Sequence, residues 1–282
     1  MTIATSRHLS TTDLEFYRDN GYITLPELLP RPKFDALKEH FERKLASLPG
    51  GMRPEDMDVP HFTDPTLFDW LMDPGVLDLV EQLVGPDIAV FSAHFFCKPA
   101  GDGKSVPWHD DAYYWRETII PSSEAVTVWL ALDEVDEENG CMHVIPGTHV
   151  PGARQYRPTR NADNVFDEEL DPESVDAARA VPIRLRPNEC SIHSATLVHG
   201  SEANSSDRRR CGFTMRYIST AVRFNHEDVG DRHQIFLARG RDRAGNVYAD
   251  PTVAHPELVA NRGAGQNYVG KRRPGGARPG SG

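Results

Sequence analysis

Between residues 88 and 220 the chain repeats one pattern, a short run of β-branched and aromatic residues followed by a turn rich in Gly, Pro, Asn and Asp. The runs are 88–97, 125–132, 141–145, 181–185, 190–198 and 211–220. Each is long enough for a strand and short for a helix, and many such strands with turn chemistry between them predict a sandwich or barrel. Side chains alternate along a strand. In 125–132, Val126, Val128, Leu130 and Leu132 therefore share one face, and Thr127 and Trp129 the other. One face packs into a core and the other is available to line a cavity.

The segment before this region has a different period. Ser10-Thr11-Thr12-Asp13 precedes Leu14 and Tyr17, which predicts a capped helix ending at Asn20-Gly21. Tyr22–Leu25 reads as a strand. Phe34, Leu37, Phe41 and Leu45 have helical spacing over 31–48, and Pro49-Gly50-Gly51 ends that helix. Two shorter helices fit 65–72 and 76–83. The reading is thus a helical part over 11–85 and a barrel over about 86–225, within one domain spanning 1–262, since 282 residues suit one large core better than two. Residues 150–180 are polar and acidic (Asp163, Asp167, Glu168, Glu169, Asp171, Glu173, Asp176) and make a candidate lid. The tail 263–282, rich in Gly, Pro and Arg, is expected to be flexible.

Charge narrows the range of partners. The net charge is −11, and the acid-free tail holds Lys271, Arg272, Arg273 and Arg278, so the body of the chain is more acidic still. That balance argues against nucleic acid as a partner, and a small cationic or zwitterionic molecule is electrostatically tolerated. No apolar run approaches the roughly 18 residues of a membrane span, and Met1–Thr12 lacks a secretory pattern, so a cytoplasmic location is expected. Cys97, Cys141, Cys190 and Cys211 are scattered, without a Cys-x-x-Cys pair, and read as core thiols.

The chemistry lies in Trp108-His109-Asp110-Asp111 and the distant His199-Gly200-Ser201. Residues i and i+2 of an extended segment share a face, which makes Asp111 a better partner for His109 than Asp110. A further His completes the two-imidazole, one-carboxylate set of non-haem Fe(II) oxygenases, which leaves open positions for a cosubstrate and dioxygen. His193 and His199 are both available for that role. They are six apart in a strand-like run and face the same way, so periodicity does not choose, although His199 lies at the strand end beside Gly200. Arg208-Arg209-Arg210 leads into the strand 211–220, and one of the three can point inward to pair with the far carboxylate of a keto acid.

With Lys98-Pro99, Trp108 to Trp115, Val128-Trp129-Leu130, Glu138 to Cys141, Ile145 to His149, and His199-Gly200-Ser201 with Arg210, the chain resembles the phytanoyl-CoA dioxygenase family of Fe(II)/2-oxoglutarate oxygenases over residues 12–225. The resemblance implies a mainly β fold with flanking helices, a double-stranded β-helix (jelly-roll, cupin-like) barrel. It implies His109, Asp111 and His199 as iron ligands and Arg210 as the partner of the 2-oxoglutarate C5 carboxylate. Ser201, Trp129 and His94 match positions near the cosubstrate. Tyr113, Tyr114 and Trp115 are the expected substrate contacts, and His149 is expected to be structural. The implied activity is oxidation of a small molecule in natural product metabolism by Fe(II), 2-oxoglutarate and O2, most simply a hydroxylation, with succinate and CO2 as co-products. Oxidative cyclisation or desaturation on the same scaffold, a zinc hydrolase and a non-catalytic binding protein are the alternatives, and Asp111 argues against halogenation.

Overall fold

The computed structural model describes residues 7–50, 52–54, 57–150, 152, 154–159 and 168–260. Helix α1 (Thr11–Asn20) opens on Ser10. Its hydroxyl accepts from the Asp13 amide at 3.1 Å, and the Asp13 carboxylate accepts from the Ser10 amide at 3.0 Å, a reciprocal cap. Gly21, at φ 81°, supplies the left-handed residue that stops the helix. Strand β1 (Tyr22–Leu25) follows, then α2 (Arg31–Ala46), which buries Phe34, Leu37 and Phe41. The helix expected over 65–72 is a 3-10 turn, Pro65–Leu67, running into the short α3 (Phe68–Leu71). α4 (Pro74–Val84) is capped by Asp73, which accepts from the amides of Gly75 and Val76.

The remainder is mainly β. In chain order come β2 (Ile88–Lys98), β3 (Val106–His109), α5 (Asp111–Trp115), β4 (Ile119–Ile120), β5 (Ala125–Ala131), β6 (Met142–Val144), β7 (Tyr156–Pro158), β8 (Glu168–Leu170) and β9 (Val181–Ile183). β10 (Cys190–Ser194), β11 (His199–Ser201), β12 (Arg210–Ser219), β13 (Arg223–Phe224), α6 (His226–Val229), β14 (Phe236–Arg239) and α7 (Pro256–Ala260) complete the described chain. A six-stranded sheet has the order β1-β10-β5-β12-β2-β14, and a four-stranded sheet the order β3-β11-β6-β9. Pairing within both is antiparallel. The fold is the expected jelly-roll.

The large sheet has two unlike faces. Cys211, Phe213 and Met215 of β12 join Phe95 and Cys97 of β2 and Val126, Val128 and Leu130 of β5 in one core, against Phe34, Leu37 and Phe41 of α2 and Val76, Leu77 and Val80 of α4. The alternate residues, Thr127 and Trp129 on β5 and Arg210, Thr214 and Arg216 on β12, look into a cavity shared with the small sheet. The alternation expected for 125–132 is therefore present, with the helices covering the apolar face.

One expected strand is divided. The run 190–198 ends as a strand at Ser194, where the Leu197 amide donates to the Ser194 carbonyl at 3.0 Å and the Ser194 and Thr196 hydroxyls meet at 2.9 Å. Hydroxyl side chains that bond locally favour a turn over a continued ladder. The chain then enters the other sheet as β11, so His193 and His199 lie on different sheets. Of the 150–180 insertion, β7 and β8 pair as a small hairpin, while Asp163 and Asp167 lie outside the described residues, as does the tail 263–282. Among the described residues no helix is long and apolar enough to cross a membrane.

Candidate metal centre

β3 ends at His109, which sits opposite His199 of β11 in register, with ring centroids 4.2 Å apart. Asp110 is extended (φ −118°, ψ 142°), and its carboxylate caps α5 by accepting from the Tyr113 amide at 2.9 Å. Asp111 is the first residue of that helix and not a strand residue, yet the extended Asp110 still turns it to the His109 side. One ligand atom from each of His109, Asp111 and His199 lies within 4.8 Å of the others, and all three residues are buried. His109 Nε2 and Asp111 Oδ1 are 3.6 Å apart.

The imidazoles are oriented for metal binding. His109 Nδ1 lies 2.8 Å from the Pro107 carbonyl, and His199 Nδ1 lies 2.9 Å from the Leu197 carbonyl. A carbonyl only accepts, so each Nδ1 carries a proton and each Nε2 is left to face the site. Burial and the neighbouring His109 push the His199 pKa well below the usual imidazole value, which keeps it neutral. Burial works to raise the Asp111 pKa. It is outweighed by the polar and positively charged groups around it, Arg216 among them, and the carboxylate stays well below its usual range. The site thus offers a carboxylate and two imidazole nitrogens, the donor types a divalent metal takes.

Two residues of the large sheet support Asp111. The Thr127 hydroxyl donates to Asp111 Oδ2 at 3.3 Å, and His193 Nε2 lies 3.9 Å from the same oxygen. Burial brings the His193 pKa down to about 4, so this ring is also neutral near pH 7. His193 is therefore beside the triad and lines the same cavity, approached from the opposite sheet.

The cavity encloses about 470 Å³ including its open mouth. Of the three consecutive arginines, Arg208 bonds Asp136 at 2.7 Å, and Arg209 binds both Asp133 and Glu42. Arg210 alone enters the cavity. It is 2% exposed, its Nε and Nη1 have no hydrogen-bond partner among the described residues, and its Cζ stands 5.1 Å from the Trp129 ring centroid. Burial lowers its pKa to about 10, so it remains a cation at neutral pH. Ser201 also lines the cavity and accepts from Lys98 Nζ at 2.8 Å. An orphaned buried guanidinium of this kind fits a carboxylate ligand.

Other expected residues are distributed differently. His94 pairs in register with Thr214, but its imidazole stands 3.3 Å from Asp58 and is not among the cavity-lining residues. Trp115 is buried edge-on against Phe91, with Arg216 Cζ 5.5 Å from its ring, and does not line the cavity. Tyr114 stands 5.6 Å from the His109 ring and donates to the Glu168 carbonyl at 2.7 Å. Tyr113 stacks on Tyr156 with centroids 3.4 Å apart. The 150–180 insertion also reaches the metal segment through Tyr156, which donates to Asp110 Oδ2 at 2.7 Å, and through Arg154, whose Nη1 lies 2.7 Å from the same atom. Sequence reasoning passed over Arg216, Thr214, Phe96 and Met142, all of which line the cavity. For Arg216 and Thr214 the signal was present, because even spacing from Arg210 along one strand places them on its face.

A family model described as phytanoyl-CoA dioxygenase (PhyH) matches residues 17–212. A probable phytanoyl-CoA dioxygenase of Caenorhabditis elegans is 25% identical, over 75% of this chain and 76% of that protein. An L-proline trans-4-hydroxylase of Streptomyces griseoviridis is 25% identical, over 71% of this chain and 83% of its own length. Among solved structures, the apo form of the non-haem monooxygenase ThoJ superposes with a TM-score of 0.67 at 26% identity, over 84% of this chain and 86% of that one.

Proposed function

Because this chain belongs to the phytanoyl-CoA dioxygenase family, we propose that it is a non-haem Fe(II)- and 2-oxoglutarate-dependent dioxygenase that hydroxylates a small molecule. The observation that carries this reading is the buried set His109, Asp111 and His199, with donor atoms within 4.8 Å, opening on the same cavity as the unpartnered guanidinium of Arg210. When bound, the ferrous ion with 2-oxoglutarate and O2 supplies the oxidising power that leaves one oxygen atom on the substrate and one in succinate, with CO2 released.

The chain's own residues do the rest. His109, Asp111 and His199 hold the metal by three contacts and leave its other positions open. Arg210 binds the distal carboxylate of the keto acid, and the Trp129 ring beside it covers that end of the cavity from water. Ser201, fixed by Lys98, presents its hydroxyl to the same region. Thr127 keeps the Asp111 carboxylate aimed at the metal, and neutral His193 packs beside it. Tyr114, 5.6 Å from the His109 ring, ties the metal segment to the Glu168 backbone. The L-proline hydroxylase among the relatives supports a small-molecule substrate.

The test is succinate release. Protein with Fe(II), ascorbate, 2-oxoglutarate and O2 forms succinate, and His109→Ala, Asp111→Ala and His199→Ala each reduce it by about 100-fold or more. Product mass then reports a gain of one oxygen for hydroxylation, or a loss of two hydrogens for desaturation or ring closure. No succinate from the wild type, or full activity in all three variants, contradicts the reading.

A further inference from the structure

Across the inner face of the large sheet, His193, Thr127, Arg216 and Ser92 form one continuous row, paired in register from β10 through β5 and β12 to β2. Asp111 sits against this row through Thr127 and His193. Arg210 lies six residues away at the other end of the β12 face, a separation of ~20 Å along an extended strand. The two cations thus stand apart on the β12 face, with Asp111 beside the row that holds Arg216. A keto acid held at Arg210 leaves Arg216 for a different ligand.

Arg216 is 8% exposed and lines the cavity. Its Nε has no hydrogen-bond partner among the described residues, and Nη1 reaches only Ser92 Oγ, at 3.4 Å. Trp115 backs the guanidinium with its ring 5.5 Å from Cζ, which explains the burial of an aromatic expected to touch substrate. Charge bookkeeping reaches the same place. The charged groups lining the cavity are Asp111, Arg210 and Arg216. Asp111 is matched by a metal and Arg210 by the keto acid, which leaves Arg216 as the buried charge without a counterpart. A buried guanidinium of this kind is stabilised most by a planar anion that accepts two hydrogen bonds at once.

We infer that Arg216 is the anchor for a carboxylate on the substrate, so that this enzyme takes a small carboxylic acid and oxidises a carbon near the anchored group. The inference rests on the oxygenase reading and deepens it. It also narrows the expectation of a cationic or zwitterionic substrate to one that carries a carboxylate. Glu168, beside the Tyr113 hydroxyl at 3.2 Å, does not line the cavity, and the anion is what the cavity selects.

The experiment is anaerobic calorimetry on protein loaded with Fe(II) and saturated with 2-oxoglutarate, so that Arg210 is engaged. The titrants are benzoate, propionate, benzamide and propionamide. At least one acid is expected to bind about tenfold or more tighter than its amide in the wild type. Arg216→Gln abolishes that preference and Arg216→Lys keeps part of it, while 2-oxoglutarate binds both variants within about a factor of three of wild type. Absence of the preference for both acids in the wild type, including failure of both to bind, overturns the inference, as does a preference that survives in Arg216→Gln. Should Arg216→Gln not fold, the wild-type comparison and a weakened preference in Arg216→Lys decide the matter. A wild type that gives no heat with 2-oxoglutarate itself overturns the oxygenase reading, and the inference with it, so the two failures are distinguishable.

Discussion

A methyl group added at Gly212 would have to enter the Trp129 ring, since an ideal Cβ there stands 2.2 Å from Cζ2, 2.4 Å from Cη2 and 2.5 Å from Cε2. The indole lies across the bare backbone of β12, and Arg210 stands beside it. Gly212→Ala therefore displaces Trp129 and the arginine that packs on it. The expected outcome is a rise of about tenfold in the 2-oxoglutarate concentration at half-saturation, with a stability loss of ~1–3 kcal/mol from overpacking, read by ligand titration and chemical denaturation. Thr127→Val is the complementary change. It conserves volume but removes the hydroxyl that donates to Asp111 Oδ2. Iron affinity is expected to fall about tenfold in a chelator competition, with 2-oxoglutarate affinity of the iron-loaded protein little altered. An unchanged iron affinity would mean that Thr127 does not orient the ligand.

At the scale of elements, the helical layer is tied together by Asp64. Its carboxylate lies 2.7 Å from both His40 Nε2 and Lys44 Nζ of α2. Burial would raise its pKa, but the hydrogen bonds from Lys44, Thr66 and His40 prevail and bring it down to about 2 from 3.8. A carboxyl with a lower pKa in the folded state stabilises the fold above its unfolded value. That contribution is present above about pH 4 and is lost as pH falls towards 2. Asp64→Asn is therefore expected to cost about 1 kcal/mol at pH 7, allowing for solvent screening, and nothing at pH 2, as read by denaturation across that window. Helices were the more legible elements in the sequence, because Phe34, Leu37 and Phe41 repeat at helical spacing and Ser10 and Asp13 form a local cap. The alternation in 125–132 likewise revealed which residues face the cavity. The division of 190–198 was not legible in hydrophobic pattern. It depends on the hydroxyl contact between Ser194 and Thr196 and on Thr196 reaching the His149 carbonyl at 2.7 Å, a long-range partner that only the fold supplies.

In the whole molecule, the proposed metal ligands and their neighbours come from different elements. His109 and His199 belong to the small sheet, Asp111 opens α5, and Thr127 and His193 reach in from the large sheet. Fe(II) with 2-oxoglutarate therefore braces the two sheets against each other. At ligand concentrations about 100-fold above the dissociation constants the fold should gain ~2.7 kcal/mol, which raises the melting temperature by ~5–10 °C and is reversed by a chelator. The cluster of His109, Asp111 and His199 was legible as a candidate because His109 and Asp111 stand two apart in sequence and the family motifs surround them. Arg216 was not singled out, since its significance lies in a buried guanidinium whose Nε finds no hydrogen-bond partner among the described residues, which is a property of the folded cavity. The most direct test of the account is anaerobic addition of 2-oxoglutarate to the colourless Fe(II)-loaded protein, followed by visible absorption. The account predicts a new band that saturates at one equivalent and is lost in His109→Ala and His199→Ala. No band at saturating iron and keto acid, or the same band in both variants, would contradict it.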